Sequence, residues 1–293
     1  SIVHQVDGTS QNITSENFIG FAHAAYADGQ KATVKTTGSI ARNIPQIASA
    51  SSEVGTEVVF GSAASNLYID ATFDSSNNRV VIVYRDGANS NYGTAVVGNV
   101  SGTSISFGTP VTYNTSGSTD PNAIGFDSNS NKVVIAYRDG GDSDKGKAIV
   151  GTVDPSDNSI TFGSEVEFNG GNTGYPNVVF DSSNNKIVIV YTDYGNSSYG
   201  TAIVGTVSGT SISFGSEVVF ESAATYYTAA TFDSSNNKIV VAYNDDGNSG
   251  HGTAIVGTVS GTSISFGTPA VFNAATTTSG FGPGPLGIAF DST

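Results

Sequence analysis

One stretch of this chain occurs twice, letter for letter: GTAIVGTVSGTSISF fills residues 200–214 and again residues 252–266. The pair Phe-Asp recurs in step with it, at residue numbers that differ successively by 53, 54, 52 and 58. Self-similarity at a nearly fixed period is typical of repeat proteins, in which each copy is one supersecondary unit that packs on its neighbours. The repeated pairs are Phe73-Asp74, Phe126-Asp127, Phe180-Asp181, Phe232-Asp233 and Phe290-Asp291.

Each copy predicts four short β-strands. They are rich in β-branched residues and are separated by the turn-forming sequences DSSNN and SGTS, a pattern that favours antiparallel hairpins. One four-stranded sheet cannot bury both of its faces, so the copies are expected to stack face to face. In the last complete copy the predicted strands cover residues 227–233, 238–243, 253–259 and 263–272.

The predicted fold is therefore all-β, a β-propeller of about five four-stranded blades in a single domain over residues 1–293. We call its four complete repeats units 1 to 4. A fifth blade is predicted from the two chain ends, residues 1–60 and 270–293, because they contain the missing strands. Residues 17–26, 31–38 and 57–60 resemble the second, third and fourth strands, and residues 287–291 resemble the first. Strands from both termini in one blade would close the ring without a free edge, whereas the alternative is an open array. The repeats cover approximately residues 61–113, 114–168, 169–220 and 221–272.

Composition limits the partners. The chain has 25 acidic and 11 basic residues, a net charge of −14, and no cysteine. A polyanion would meet mostly repulsion, so we expect no nucleic acid partner. No stretch approaches the length of an apolar membrane span, so we expect no membrane insertion. Disulfides and thiolate chemistry are excluded because both need cysteine.

Two sets of segments in this chain resemble known protein families. PNAIGFD (121–127) and PLGIAFD (285–291) resemble the first two strands of NHL-type propeller repeats, which implies fold only. ENFIGFA (16–22), YADGQ (26–30) and ATVKTTGSIA (32–41), beside the FDSSNNKIVIVY and VGTVSGTSISFG repeats, resemble tail-fibre-like and other virion appendage proteins of marine bacteriophages. This second resemblance covers nearly the whole chain. It implies a virion or extracellular location and carries no catalytic residues.

Two sets of loops differ between copies, and they predict the binding residues. The loops that enter each blade and the loops between the second and third strands are expected to share one face of the ring. They are rich in Tyr, Asn, Ser and Gly, a composition suited to binding surfaces on a rigid scaffold. Asn and Gly also serve simply as turn residues, but a turn does not need tyrosine. The predicted ligand-binding residues are Tyr92, Tyr175, Tyr199, Tyr226, Asn89, Asn196 and Asn248.

A metal site is the second candidate. Asp139, Asp142 and Asp144 are spaced so that they could wrap a hard cation such as calcium. No bidentate Glu follows them, and an Asp that caps the turn is the alternative explanation. No other cofactor is expected.

The sequence gives little support for an enzyme. A glycosidase needs two carboxylates in one cleft, and Asp70 is the one inner-strand carboxylate that the other copies lack. His4, His23 and His251 have no spacing suited to a metal or a catalytic triad. The expected function is a non-enzymatic structural or binding module of a phage-like virion appendage, which recognises a host-surface glycan or a neighbouring virion protein. The alternative is a secreted glycan-processing enzyme with a five-bladed propeller.

Overall fold

The computed structural model describes residues 2–6, 9–13, 55–61, 65–276 and 287–291. The chain divides into two compact parts, residues 1–54 and 55–293. In the first part, β1 (Ile2–Val6) and β2 (Thr9–Ile13) pair as an antiparallel hairpin. The intervening dipeptide Asp7-Gly8 is one of the pairs most favoured in tight hairpins. This hairpin was not among the predicted elements.

The second part contains the repeats, and its described regular structure is almost entirely strand. Its strands are β3 (Leu67–Asp74), β4 (Arg79–Asp86), β5 (Tyr92–Ser101), β6 (Ser104–Phe107), β7 (Val111–Asn114), β8 (Thr119–Asp127), β9 (Lys132–Asp139), β10 (Lys145–Asp154), β11 (Ser159–Phe162), β12 (Val166–Asp181), β13 (Lys186–Asp193), β14 (Tyr199–Ser208), β15 (Ser211–Phe214), β16 (Val218–Asp233), β17 (Lys238–Asp245), β18 (His251–Ser260), β19 (Ser263–Phe266) and β20 (Ala270–Thr276). Within the described ranges, no helix is long and apolar enough to cross a membrane.

These strands form four antiparallel units of the predicted kind. In unit 1, β3 pairs with β4, β4 with β5, and β5 with both β6 and β7. The fourth strand is thus in two pieces, and units 2, 3 and 4 repeat the arrangement. The all-β class and the four-stranded antiparallel repeat are confirmed.

A glycine follows the first piece of each fourth strand, and in units 1 to 3 it packs against the next unit. A Cβ at Gly108 would lie 2.0 Å from the carbonyl oxygen of Asn158, and one at Gly163 would lie 1.8 Å from that of Thr210. Both carbonyls belong to the turn between the third and fourth strands of the following unit. Any larger residue would push the two units apart.

Two of the predicted loops are strands. Residues 169–175 and 221–226 lie inside β12 and β16. β12 pairs first with β10 of unit 2 and then with β13 of unit 3, with only short register shifts between. Because one continuous strand serves two units, its backbone groups are bonded where a loop was expected. In units 3 and 4 the entering loops were therefore predicted wrongly.

The core lies between successive units. Val81 and Val97 of unit 1 pack with Ile135 and Tyr137 of unit 2 in one cluster of buried residues, and similar clusters join units 2 to 3 and units 3 to 4. The tyrosine that recurs in each second strand is fully buried at Tyr84, Tyr137, Tyr191 and Tyr243. Face-to-face stacking, as predicted, is what buries these sheets.

Residues 55–61 occupy the position of a preceding fourth strand on unit 1. Phe60 contacts Tyr84 with a centroid distance of 5.3 Å, just as Phe220 of unit 3 contacts Tyr243 of unit 4 at 5.3 Å. The Phe60 ring therefore lies where the aromatic residue of a preceding fourth strand would lie, but residues 57–60, predicted as the end of a fourth strand, are irregular. The predicted strands over 17–26 and 31–38 lie outside the described residues. Residues 287–291, predicted as a strand, are irregular.

Candidate ligand-binding face and inner cavity

The turns between second and third strands share one backbone design. In each, an Asp at the end of the second strand accepts a hydrogen bond from a backbone N–H two or three residues later, at 3.0–3.1 Å. The residues that follow are left-handed, for example Ser90 with φ 55° and Ser197 with φ 57°. The same backbone therefore presents different side chains in each unit. The capping residues are Asp86, Asp139, Asp193 and Asp245.

The two variable segments of neighbouring units lie side by side. The backbone N–H of Thr173, in the entering segment of unit 3, donates to the carbonyl of Asp144 in the turn of unit 2 at 2.9 Å. Thr225 N donates to the carbonyl of Ser198 in the same way at 2.9 Å. These bonds confirm that both sets lie on one face, which we call the loop face.

Five of the predicted ligand-binding residues lie on these turns or just after them. Asn89, Asn196 and Asn248 are exposed near the turn tips. Tyr92 and Tyr199 begin β5 and β14, opposite the capping Asp of the same turn, and are half-buried. The three asparagines thus hold one equivalent position in different units, and the two tyrosines hold another.

Tyr175 and Tyr226 lie in the continuous strands and belong to a different group, the tyrosine cluster, with Tyr194 and Tyr227. The ring centroids of Tyr175 and Tyr227 are 4.6 Å apart, those of Tyr194 and Tyr226 are 6.4 Å apart, and those of Tyr226 and Tyr227 are 6.2 Å apart. Burial, together with the neighbouring tyrosines, raises the pKa of Tyr194 and of Tyr227 above the usual range. The hydroxyls of Tyr194 and Tyr227 are therefore neutral at physiological pH.

Each first strand is bulged at the same place, and the bulges border a cavity. The register shifts by one residue near the start of β3 and of β8, and at the corresponding point within β12 and β16. Tyr68, Tyr175 and Tyr227 occupy one equivalent position with φ between 47° and 54°, a left-handed conformation that is uncommon outside glycine. The cavity has a volume of about 510 Å³ and is lined by Tyr68, Ile69, Asp70, Pro121, Asn122, Ala123, Tyr175, Pro176, Asn177, Tyr227 and Thr228.

Asp70 and Asn177 hold equivalent positions in units 1 and 3 and act alike. Asp70 Oδ2 accepts a hydrogen bond from the backbone N–H of Ile124 in the next unit at 2.9 Å. Asn177 Oδ1 accepts one from Ala230 N at 3.0 Å. Burial raises the pKa of the Asp70 carboxyl, although bonds from Ile124 and Ala71 oppose the shift. A neutral amide can thus fill the structural role of this carboxylate.

Asn122 is the unusual polar group of the lining. The residue is 7% exposed, and neither Oδ1 nor Nδ2 has a hydrogen-bond partner among the residues that the structure describes. Buried amides are normally hydrogen-bonded, because an unpaired one costs about 1–3 kcal/mol.

Charged groups flank the cavity beside units 1 and 2. Asp120 accepts hydrogen bonds from Arg138 at 2.6 Å and from Arg85. Burial alone would raise the pKa of Asp120, but the bonds from Arg138, Ser118 and Arg85 outweigh it and hold that pKa below its usual range. Arg85 also lies over the Tyr68 ring, 5.1 Å from its centroid. These two guanidinium groups are therefore already engaged.

The three predicted metal ligands each have other contacts. Asp139 Oδ1 caps its turn, while its Oδ2 is buried without a partner. Asp142 contacts Lys147 Nζ at 2.7 Å, and Asp144 lies 3.7 Å from Arg138 Nε. Among the described residues, no group of three or more His, Cys, Asp or Glu side chains is placed to hold a metal ion. The calcium site stays a prediction.

Sequence reasoning missed Tyr68, Tyr227 and Asn122. For the two tyrosines the signal was present in the repeat itself, since the residue five positions before each repeated Phe is Tyr68, Pro121, Tyr175 or Tyr227. Comparing copies column by column would have selected Tyr227 beside Tyr226.

Comparisons with known proteins give a distant structural likeness. No protein-family model matches the chain, and no curated protein matches it. Among solved structures, a triple arginine-to-alanine mutant of AofleA from Arthrobotrys oligospora is similar, with a TM-score of 0.49 and 11% sequence identity. The match covers 75% of this chain and 61% of that chain.

Proposed function

We propose that this chain is a non-enzymatic binding module that uses its loop face to recognise a host-surface glycan or to contact a neighbouring protein of a virion appendage. The observation that carries the proposal is the shared turn backbone with its changing side chains. Four turns capped by an equivalent Asp present Asn89, Asn196 or Asn248 at their exposed positions, or Asp142 in unit 2. The virion or extracellular location rests on the sequence resemblance.

The residues of this face suit a polar, hydroxyl-bearing partner. Asn amides both donate and accept hydrogen bonds, and tyrosine combines a large apolar ring with a polar hydroxyl. Asp142, in the turn of unit 2, is matched by Lys145 and Lys147. An overall charge of −14 disfavours a strongly acidic partner.

Alanine substitutions test the loop face. Tyr92→Ala, Tyr175→Ala, Tyr199→Ala and Tyr226→Ala are each expected to weaken binding to a glycan array, or to purified virion proteins, by about tenfold or more, because aromatic anchors dominate interface energy. Tyr92 and Tyr199 are half-buried at strand ends, so their loss should change the melting temperature little.

Asn77→Ala and Asn184→Ala are the matched controls. Both side chains lie in the DSSNN turns, where they bond to Asp74 and Asp181 at 2.8 Å. We expect a small loss of stability from the lost hydrogen bond, about 1 kcal/mol, with unchanged binding. Loss of binding in these controls alone would place the contact surface at the opposite end of the units.

A hydrolysis assay on the bound glycans separates the enzyme alternative. Asp70 is the one ionisable carboxyl among the described residues that line the cavity, and glycoside hydrolysis needs two carboxylates. Glycan cleavage that disappears with Asp70→Asn would favour the glycan-processing enzyme over the binding module.

We further propose that the module is a closed five-bladed propeller in which the chain's own ends supply the fifth blade. Val256 is 46% exposed, whereas the equivalent Val204 is fully buried. Phe272 is 59% exposed, whereas the equivalent Phe220 is 8% exposed. Residues 55–61 already occupy the place of a preceding fourth strand on unit 1. Residues 17–54 and 287–291 contain the remaining strand-like sequences.

A further inference from the structure

We propose that the inner cavity binds one neutral sugar ring, with the Asn122 amide as its principal hydrogen-bonding group. The inference rests on the proposed glycan recognition and assigns it to the cavity between the first strands. It starts from the two unpartnered polar atoms of Asn122, which is 7% exposed and lines the cavity.

Folding does not explain an asparagine at this position. Ile69, Pro176 and Thr228 hold the equivalent positions in units 1, 3 and 4, so the repeat folds with three other residues there. Thr228 bonds its hydroxyl to the carbonyl of Tyr175 at 2.7 Å, but the Asn122 amide bonds to no protein group. A buried amide that is costly and unneeded for the fold is explained by a ligand that pairs with it.

The cavity supplies aromatic walls around this amide. Tyr68, Tyr175 and Tyr227 line it from units 1, 3 and 4. Their backbones are all left-handed, and non-glycine residues held in such conformations often cluster at functional sites. A cavity volume of about 510 Å³ lies within the range usual for small-molecule sites.

The charged side chains of the lining indicate which class of ligand the cavity can bind. Among the described residues, the lining includes no Lys, Arg or His and one carboxyl, Asp70. An anionic ligand would therefore be repelled. A hydroxyl pair on a sugar ring can accept from Asn122 Nδ2 and donate to its Oδ1, while the C–H face of the ring packs on tyrosine. A quaternary ammonium ion would suit the tyrosines and Asp70 but would leave Nδ2 without an acceptor.

Titration of the intact chain with methyl glycosides of glucose, galactose, mannose and N-acetylglucosamine tests the proposal. At least one is expected to bind, with a Kd below about 10 mM. Asn122→Ile, which installs the residue of unit 1, should weaken that binding about tenfold or more. Because the amide has no partner in the free protein, this variant should melt at the same temperature or higher.

Each result decides the matter. Absence of binding for all four glycosides, or equal binding by the Asn122→Ile variant, overturns the cavity proposal. Tight binding of choline instead would assign the tyrosines to a cation. Glycan-array binding lost in Tyr92→Ala but kept in Asn122→Ile would reject the cavity and retain the loop face. If no glycan on the array is bound but a methyl glycoside binds and the Asn122→Ile variant loses that binding, the cavity is retained and the loop face is rejected.

Discussion

At the scale of single residues, Asp70 and Asn177 accept equivalent hydrogen bonds from the next unit, the first with a carboxyl group and the second with a neutral amide. Both accept a bond from the backbone of the following unit, at 2.9 and 3.0 Å. Units 2 and 4 have Ala123 and Ala229 at this position, so the bond is absent at those places. The acceptor helps to join units, whereas the negative charge adds a desolvation cost.

Asp70→Asn is therefore expected to stabilise the protein at neutral pH. Because the folded pKa of Asp70 is raised, its ionisation lowers stability as the pH rises from the unfolded value of 3.8 through the folded pKa. The variant should melt higher at pH 7, by on the order of 1–3 °C. The difference should vanish below about pH 4, where both side chains are neutral. Thermal melts across this pH range measure it.

Asn177→Asp is the matched reverse change. It keeps the acceptor for Ala230 N and adds a charge, so the melting temperature should be lower at neutral pH. Acidification should raise it again. A lower melting temperature for Asp70→Asn at pH 7 would mean that the carboxylate has a favourable partner.

The residue scale was only partly predictable from sequence. The DSSNN turns were predicted and are present, and the Asp of each turn caps it, with Asp181 Oδ1 accepting from Ser183 N at 2.9 Å. Asn122 was not predicted, because nothing in one copy reveals that a side chain is buried without a partner. That property depends on how the first strands of four units meet.

At the scale of elements, the strands and the hairpin turns were predicted well, but the segments that enter units 3 and 4 were not. The predicted strand 238–243 is observed as Lys238–Asp245, and 253–259 as His251–Ser260. The long strands Val166–Asp181 and Val218–Asp233 were not predicted, since the Asn, Gly and Ser that favour turns occur inside them. There the pairing with two successive units overrides the local preference.

The glycine inside each third strand allows a close approach within one unit. A Cβ at Gly205 would lie 2.7 Å from Ile212 Cδ1 and 2.9 Å from Phe214 Cε1 of the same unit. Gly205→Ala should therefore lower the free energy of unfolding by about 1–3 kcal/mol, as overpacking does. Denaturant unfolding measures the loss.

Ile212→Val provides the test of this cause, because it removes the nearest atom, Cδ1. Alone it should cost about 0.5–1.5 kcal/mol. Combined with Gly205→Ala, the loss should be smaller than the sum of the two single losses. Additive losses would mean that glycine is required there for a reason other than space.

At the scale of the whole molecule, the two outer faces of the four-unit stack are apolar in a matching way. Phe73 of unit 1 is 53% exposed, whereas its equivalents Phe126, Phe180 and Phe232 pack against the preceding unit. Val256 and Phe272 are exposed apolar side chains on the opposite face, that of unit 4. Covering a side chain of this size contributes about 1.5–3 kcal/mol, so a fifth blade between the two faces would add considerable stability.

Deletion of residues 1–54 tests whether the chain's own N-terminal part supplies that blade. If the proposed fifth blade forms, the shortened protein should melt at a clearly lower temperature, because loss of that blade would leave both faces in water. An unchanged melting temperature would mean that residues 1–54 fold separately from the repeats and that the ring is open.

A pair of isosteric substitutions locates the cover more directly. Val204 is fully buried between units 3 and 4, so Val204→Thr should lower the free energy of unfolding by about 1–3 kcal/mol, since its hydroxyl would be buried without a partner. Val256 holds the same position in unit 4, where a fifth blade would cover it. Val256→Thr should then cost about as much as Val204→Thr, measured by denaturant unfolding of the full chain. If Val256 faces water, the substitution should change stability by less than about 0.5 kcal/mol. A loss at Val204 with none at Val256 would exclude a fifth blade on that face, because threonine is tolerated on the exposed face of a strand.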